Sequence, residues 1–571
     1  MKNIFIPFFL LLIVLPNTHF GQKQALDKII TDYQEFQEKE NDSGEDAPSV
    51  SKENYEKRAI YYKELMADLA EISIDELDEQ DRINHELLSF ILEDKIANIE
   101  FKNYLVPMNA EGGWYSELPT SMERRQFRDT SDYRKYFDDL KKFQKATHDN
   151  LLLLTEGMNT GRTLPHALTG NCREIVAAQA VENFEDSPYY LPIKNIPANI
   201  ADADKMEIIR EGKVRVHAVN LIYQMLLKFL DEKYIPKSNQ EIGIIAQPQG
   251  REIYEQRVRY FTTLNMTPEE VYEIGQSEVA RIKKEMEGII EEVGFSGSFA
   301  EFLNFLRTDE QFYAKTPEEI LKEASFIAKK IDGLLPKYFG KLPRNSYGVQ
   351  PVPAAIAPTY TSGRYSGGSL ENGRAGNYWV NTTKLNSRPL YALPSLTLHE
   401  AVPGHHLQIS LAQEMEGMPV FRKQTYLSAY GEGWALYTEW LGEEMGVYST
   451  PYERFGKLTY EMWRACRLVI DPGMHVFGMS RQESIDFMAS NTALSIHECT
   501  TEIDRYIGWP GQAVSYKIGE LKIRELRRLA ELKLGDEFNI REFHDLILSN
   551  GAVPLFVLER MVKEWLEKKN N

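Results

Sequence analysis

The chain has 571 residues, 43% hydrophobic and 26% charged, an ordinary globular balance that excludes wholesale disorder. Lys and Arg number 66 against 85 Asp and Glu, a net charge of −19. The acids are spread along the chain and cations are nowhere clustered, which excludes nucleic acid as the main partner.

The N-terminus has the form of an export signal. Lys2 precedes the apolar run Ile4 to Leu15, which Pro16 closes. That run is too short to span a bilayer comfortably and fits a signal-peptide core, so residues 1–21 are read as a signal cleaved near Gly21-Gln22, with a retained anchor as the alternative. No cysteine lies in this region to carry a lipid, and no later segment is apolar enough to cross a membrane. The expected destination is the periplasm or the medium, with no integral span once the signal is removed.

Residues 22–340 form a helical N-terminal lobe by pattern. Lys52–Ala70, Glu76–Ile99, Asp132–Glu156 and Lys205–Asp231 repeat apolar residues at three- and four-residue spacing. Thr267-Pro268-Glu269-Glu270 opens a helix: a capping hydroxyl, proline at the first helical position, then acids at the positive end. That helix should run to about Glu292 and stop before Gly294. Thr316-Pro317-Glu318-Glu319 opens the next.

The texture changes at about residue 341. The stretch to Pro394 is rich in Gly, Pro, Tyr, Asn and Ser and holds two strand-like runs, 356–360 and 377–382. Helical patterns return at Ser395 and continue to the end. The fold class is therefore mainly α, with a small sheet just before the segment that carries the chemistry. Residues 341–571 are read as one continuous catalytic lobe. Three cysteines, Cys172, Cys466 and Cys499, fit no disulfide framework or cysteine zinc site. They are read as buried small residues, with a Cys466–Cys499 disulfide left open.

The chemically suggestive segment is His399-Glu-Ala-Val-Pro-Gly-His405-His406. Hydrolytic zinc sites bring two imidazoles and a carboxylate onto one ion, and set a second carboxylate beside the bound water. The familiar arrangement is His-Glu-x-x-His on one helix face. Here the fourth position after His399 is Pro403, which binds no metal. In an unbroken helix His406 would share the face of His399 but lie roughly 10 Å along the axis, and His405 would point about 120° away. Pro403-Gly404 suits a break better than a helix. A bulge of two residues would bring His405 into place as second ligand; His406 stays open as the alternative, and whichever of the two does not bind is left to orient substrate or support the site.

The third ligand is sought on the next helix, in Tyr430-Gly-Glu432-Gly-Trp-Ala-Leu-Tyr-Thr-Glu439. Two acids seven apart share a face but not one ion. Glu432, flanked by glycines, is assigned as ligand, and Glu439 either supports a ligand or is a solvated surface acid. Glu400 is the general base.

These motifs, together with Arg505-Tyr-Ile-x-x-Pro-Gly-Gln-Ala-x-x-Tyr516-Lys-x-Gly519, resemble the bacterial family catalogued as domain of unknown function 885 over almost the whole mature chain. That family is grouped with the zincin-type metallopeptidases. More distantly the segment is similar to the thimet-oligopeptidase group, whose helix reads His-Glu-Phe-Gly-His-Ala-Leu. Gly404-His405-His406-Leu407 aligns with its end after two extra residues, and that group's metal-binding Glu also stands seven before another. The resemblance implies a helical zincin-like peptidase with a central cleft, one zinc ion and short or unfolded peptide substrates. It puts Tyr516 where these peptidases place a tyrosine that steadies the tetrahedral intermediate. Tyr506 and Arg505 are the runners-up, Arg505 as a fork for a peptide carboxylate. Asn377, Tyr378 and Trp379 occupy the place of a substrate-pairing edge strand. His497 is read as a helix histidine without a role.

Two other functions stay open: an exported binding protein on a decayed peptidase fold, motivated by Pro403, and a metal-dependent hydrolase of a non-peptide amide or ester.

Overall fold

The computed structural model describes residues 18–40, 50–109, 112–122, 125–354, 356–357 and 360–570. The apolar run of the export signal lies outside these residues. Among the described residues no helix is long and apolar enough to cross a membrane.

Helices dominate, and they begin where the capping chemistry places them. Lys52–Ala70 is a helix over the predicted span, and Glu79–Glu100, Thr130–Thr160 and Asp202–Phe229 follow within a few residues of theirs. Thr267 and Glu270 form a reciprocal capping box at the start of the Pro268–Glu292 helix, and Thr316 caps Pro317–Asp332. A further box, Thr450 with Glu453, opens the long Pro451–His475 helix. Cys172, Cys466 and Cys499 are all buried free thiols.

The larger of two hydrophobic clusters among the described residues runs from Leu26 to Leu566, so the change of texture near residue 341 is not a change of packing. Contacts from both ends of the chain cross it. Arg560 pairs with Glu79 and Glu86, and Arg422 donates to Gln80 and Asn84. The Pro268–Glu292 helix packs along Pro451–His475.

Sheet structure is slight. The two-residue strands β1 (Met108–Asn109) and β2 (Gly112–Gly113) pair antiparallel. β3 (Tyr347–Pro351), β4 (Gly363–Ser366) and β5 (Gly376–Val380) form a three-stranded sheet in the order β3-β5-β4. β5 runs parallel to β3, with Tyr347 opposite Gly376, and antiparallel to β4, with Tyr365 opposite Tyr378.

This order corrects one expectation. Asn377, Tyr378 and Trp379 lie on the central strand, and both edges of β5 are already paired, so their main chain has nothing left for a substrate. The bordering strand next to the histidines is β4. The described part of the 356–360 run is turn rather than strand.

Candidate metal centre

The His-Glu segment folds as two helices with a break between them. Leu393–Glu400 ends at Glu400, and a new helix, His405–Gln413, begins at His405. Ala401 N–H still donates to Thr397 O, and His406 N–H reaches back to Ala401 O, so residues 402–405 are looped out of the ladder. The Trp434 indole donates to Pro403 O across this loop. Gly404 makes the loop feasible, because a Cβ there would stand 2.0 Å from His399 O.

The loop turns His405 toward His399. Their rings are 4.8 Å apart and nearly perpendicular. Glu432 on the Ser428–Glu444 helix meets both: its Oε2 lies 3.4 Å from His399 Nε2 and 3.5 Å from His405 Nε2. Candidate donor atoms on the three residues all fall within 4.8 Å of one another. Two ligands bound at about 2.0–2.1 Å to a tetrahedral ion stand roughly 3.3–3.4 Å apart, so the donor set fits zinc in chemistry and the two separations from Glu432 fit it in spacing. The carboxylate of Glu432 is held well below the usual range; burial opposes this, and the charges and hydrogen bonds of His405 and His399 outweigh it. Burial likewise pushes His399 down, but the bonds from Glu432 and Glu439 more than reverse it, to about 9.

Glu439 is not a solvated surface acid. It is 1% exposed and accepts from His399 Nδ1 at 2.7 Å, while Ser395, one turn before His399, donates to its other oxygen. The His399 ring is thereby held with Nε2 facing His405 and Glu432. Glu400 is fixed from the sheet side: the Tyr365 N–H of β4 donates to its Oε2 at 2.7 Å. His406 does not join the cluster. It turns to the sheet, where its Nδ1 pairs with Tyr365 OH at 3.0 Å and its ring lies 4.7 Å from that of Tyr347. Burial pushes it down to about 4. This contact ties the second helix to β4.

The glycines beside Glu432 act as spacers. Gly431 lets the Tyr426 ring lie against the helix, from where its hydroxyl donates to Glu432 Oε1 at 2.9 Å. Gly433 faces Gly519 of the Ser515–Leu534 helix, and a Cβ on Gly433 would stand 2.5 Å from Gly519 Cα.

The profile of the family described as "Bacterial protein of unknown function (DUF885)" matches residues 37–562. The chain belongs to the DUF885 family. No curated protein matches its sequence. Two solved structures resemble this DUF885 chain along its length. One is described as "the putative lipoprotein from Colwellia psychrerythraea", at 26% identity and a TM-score of 0.82, covering 97% of each chain. The other is "a putative lipoprotein of unknown function from Shewanella oneidensis", at 17% identity and a TM-score of 0.73, covering 96% of this chain and 98% of its own; it shows the fold alone.

The DUF885 motif at 505–519 folds differently from its sequence reading in two respects. The Arg505 fork is already taken: it donates to both oxygens of Glu502 and to Gln512, so it is not free for a substrate carboxylate. Tyr506 is 1% exposed and its hydroxyl is locked between Glu502, Arg467 and Trp463, so it cannot reach an oxyanion. Tyr516 is only partly buried and lies within electrostatic reach of Tyr426, with the Arg467 guanidinium 4.2 Å from its ring centre. His497 is exposed.

Sequence reasoning missed Tyr365, Ser395 and Tyr426. Ser395 carried a signal, lying four residues before His399 on the same helix face. Tyr365 carried none, because its contact with Glu400 is made by the main chain.

Proposed function

We propose that the protein is an exported, zinc-dependent, zincin-like peptidase that hydrolyses short or unfolded peptides. The observation that carries the reading is the convergence of His399, His405 and Glu432 beside Glu400 despite Pro403. A zinc ion held by those three residues would polarise a water and lower its pKa to about 7. Glu400 takes the proton at its carboxylate and passes it to the departing amine. The amide of Tyr365 fixes that carboxylate in place. β4 offers an edge not paired to β5 for an extended peptide. Tyr516 is the candidate donor to the developing oxyanion.

Pro403 is absorbed by the loop, which supports hydrolysis over the binding-protein reading. A non-peptide amide or ester differs only in substrate profile. Export is supported by the N-terminal signal pattern and by the "lipoprotein" descriptions of the two relatives.

The test combines metal analysis of the purified protein with a peptide library. One equivalent of zinc and cleavage abolished by chelation are expected. Glu400→Gln should keep the metal and lose cleavage by about 10²-fold or more. Activity surviving in Glu400→Gln overturns the mechanism.

A further inference from the structure

A cavity lies at the start of β4, with a volume of about 220 Å³. Ser362, the residue before β4, forms part of its wall. Tyr365, whose N–H holds Glu400, is three residues further along, roughly 10 Å at 3.3 Å per strand residue. The Pro451–His475 helix also lines it, through Thr459 and Tyr460. One turn on from Tyr460 the same helix carries Arg464, 3.7 Å from Glu439. The strand and the helix that line the cavity thus also carry contacts to residues of the candidate metal centre.

Size narrows the occupant. Pockets for whole ligands or cofactors run to about 300–1,000 Å³, so this one suits a single side chain. Its body is aromatic and apolar, formed by Tyr313, Tyr391, Tyr460, Ala493 and Leu494. Its charges oppose each other. Glu498 is in the lining, its acid raised by burial against the pull of Arg388. Arg307 is in the lining too, donating to the carbonyls of Ala489, Thr492 and Leu494. A basic side chain would meet Arg307 and an acidic one Glu498, so neither is favoured over a neutral one. Among the lining residues Thr459, 3% exposed, has a buried hydroxyl that makes no hydrogen bond, and a turn about its Cα–Cβ bond can swing that hydroxyl toward the cavity. A buried hydroxyl left so costs free energy that a ligand can recover.

We propose that this cavity is a specificity pocket for one uncharged aromatic side chain of a peptide laid along β4, with Thr459 favouring tyrosine over phenylalanine. The inference rests on the peptidase reading for its position in a reaction, and on the cavity itself for its ligand.

The test is binding first, cleavage second. N-acetyl-tyrosinamide, N-acetyl-phenylalaninamide and N-acetyl-lysinamide are titrated into the full chain by ligand-observed NMR. Tyrosinamide should bind most tightly and lysinamide not measurably. Ala493→Trp, which fills the cavity, should weaken tyrosinamide by at least about tenfold, and the near-isosteric Thr459→Val by about threefold without affecting phenylalaninamide. Circular dichroism and zinc content check that both variants fold, and Thr459→Val serves should Ala493→Trp not. No binding to the natural protein, binding undisturbed in both variants, or preference for lysinamide overturns the proposal. The peptide library then separates the two readings. Aromatic binding with no peptide cleaved removes the peptidase reading and leaves the pocket. Cleavage indifferent to an aromatic residue and unchanged in the variants removes the pocket and leaves the peptidase.

Discussion

His399 Nδ1 and Glu439 Oε1 stand 2.7 Å apart in a buried pair between the first metal-site helix and the helix that carries Glu432. Because a carboxylate can only accept, this contact fixes the proton on Nδ1 and leaves Nε2 for a metal. Glu439→Gln keeps the shape and removes the charge. Zinc affinity should fall by about 10–100-fold, measured by competition with a chromogenic chelator. Unchanged affinity would mean that Glu439 does not orient the ligand.

Gly404→Ala tests the loop. The added Cβ meets the carbonyl oxygens of His399 and Leu398, which belong to the main chain and cannot swing aside. Stability should fall by about 1–3 kcal/mol, and bound zinc should drop below one equivalent. Thermal unfolding and metal analysis on the same sample check both.

Gly433→Ala addresses the other approach. The Ser428–Glu444 and Ser515–Leu534 helices touch at Gly433 and Gly519, and a methyl group would push them apart. A loss of about 1–3 kcal/mol in urea unfolding is expected, with weaker zinc binding because Glu432 is the preceding residue. Ala435, buried on the same helix, gives a control through Ala435→Gly, which should lower stability by about 1 kcal/mol through helix propensity and lost packing.

Acid should loosen the fold through His544. Burial pushes this histidine down to about 3, only partly offset by its bond to Tyr338 O, and Tyr437 OH lies 2.7 Å from its other nitrogen. Above about pH 6.5 the ring is neutral folded and unfolded, and it contributes no pH dependence. Below that the unfolded chain takes up a proton that the fold refuses, so stability falls by about 1.4 kcal/mol per pH unit until pH nears 3. His544→Gln should therefore lose less stability than the natural protein between pH 6.5 and 5, by about 2 kcal/mol. Equal slopes in urea unfolding would remove His544 as the source.

Much of this was legible in the sequence because it rests on local chemistry. Thr267-Pro268-Glu269-Glu270 states its own helix start, and Pro403-Gly404 states a break, which favoured His405 over His406. What was not legible depends on partners distant along the chain. The order of three strands put β5 in the middle, and nothing in Asn377-Tyr378-Trp379 tells a central strand from a bordering one. Arg505 reads as an available fork until Glu502, one turn earlier on its own helix, is seen to fill it. Tyr365 acts on Glu400 through a main-chain N–H that every non-proline residue possesses, so no residue type could announce it.

The interruption after Glu400 gives the two histidines separate mountings. On a continuous helix a pair of ligands moves as one body and the metal merely decorates it. Here His399, His405 and Glu432 arrive on three helices, so an ion between them would work as a clasp. Amide exchange in the His405–Gln413 helix should then slow on loading with zinc, while the distant Thr130–Thr160 helix should exchange as before.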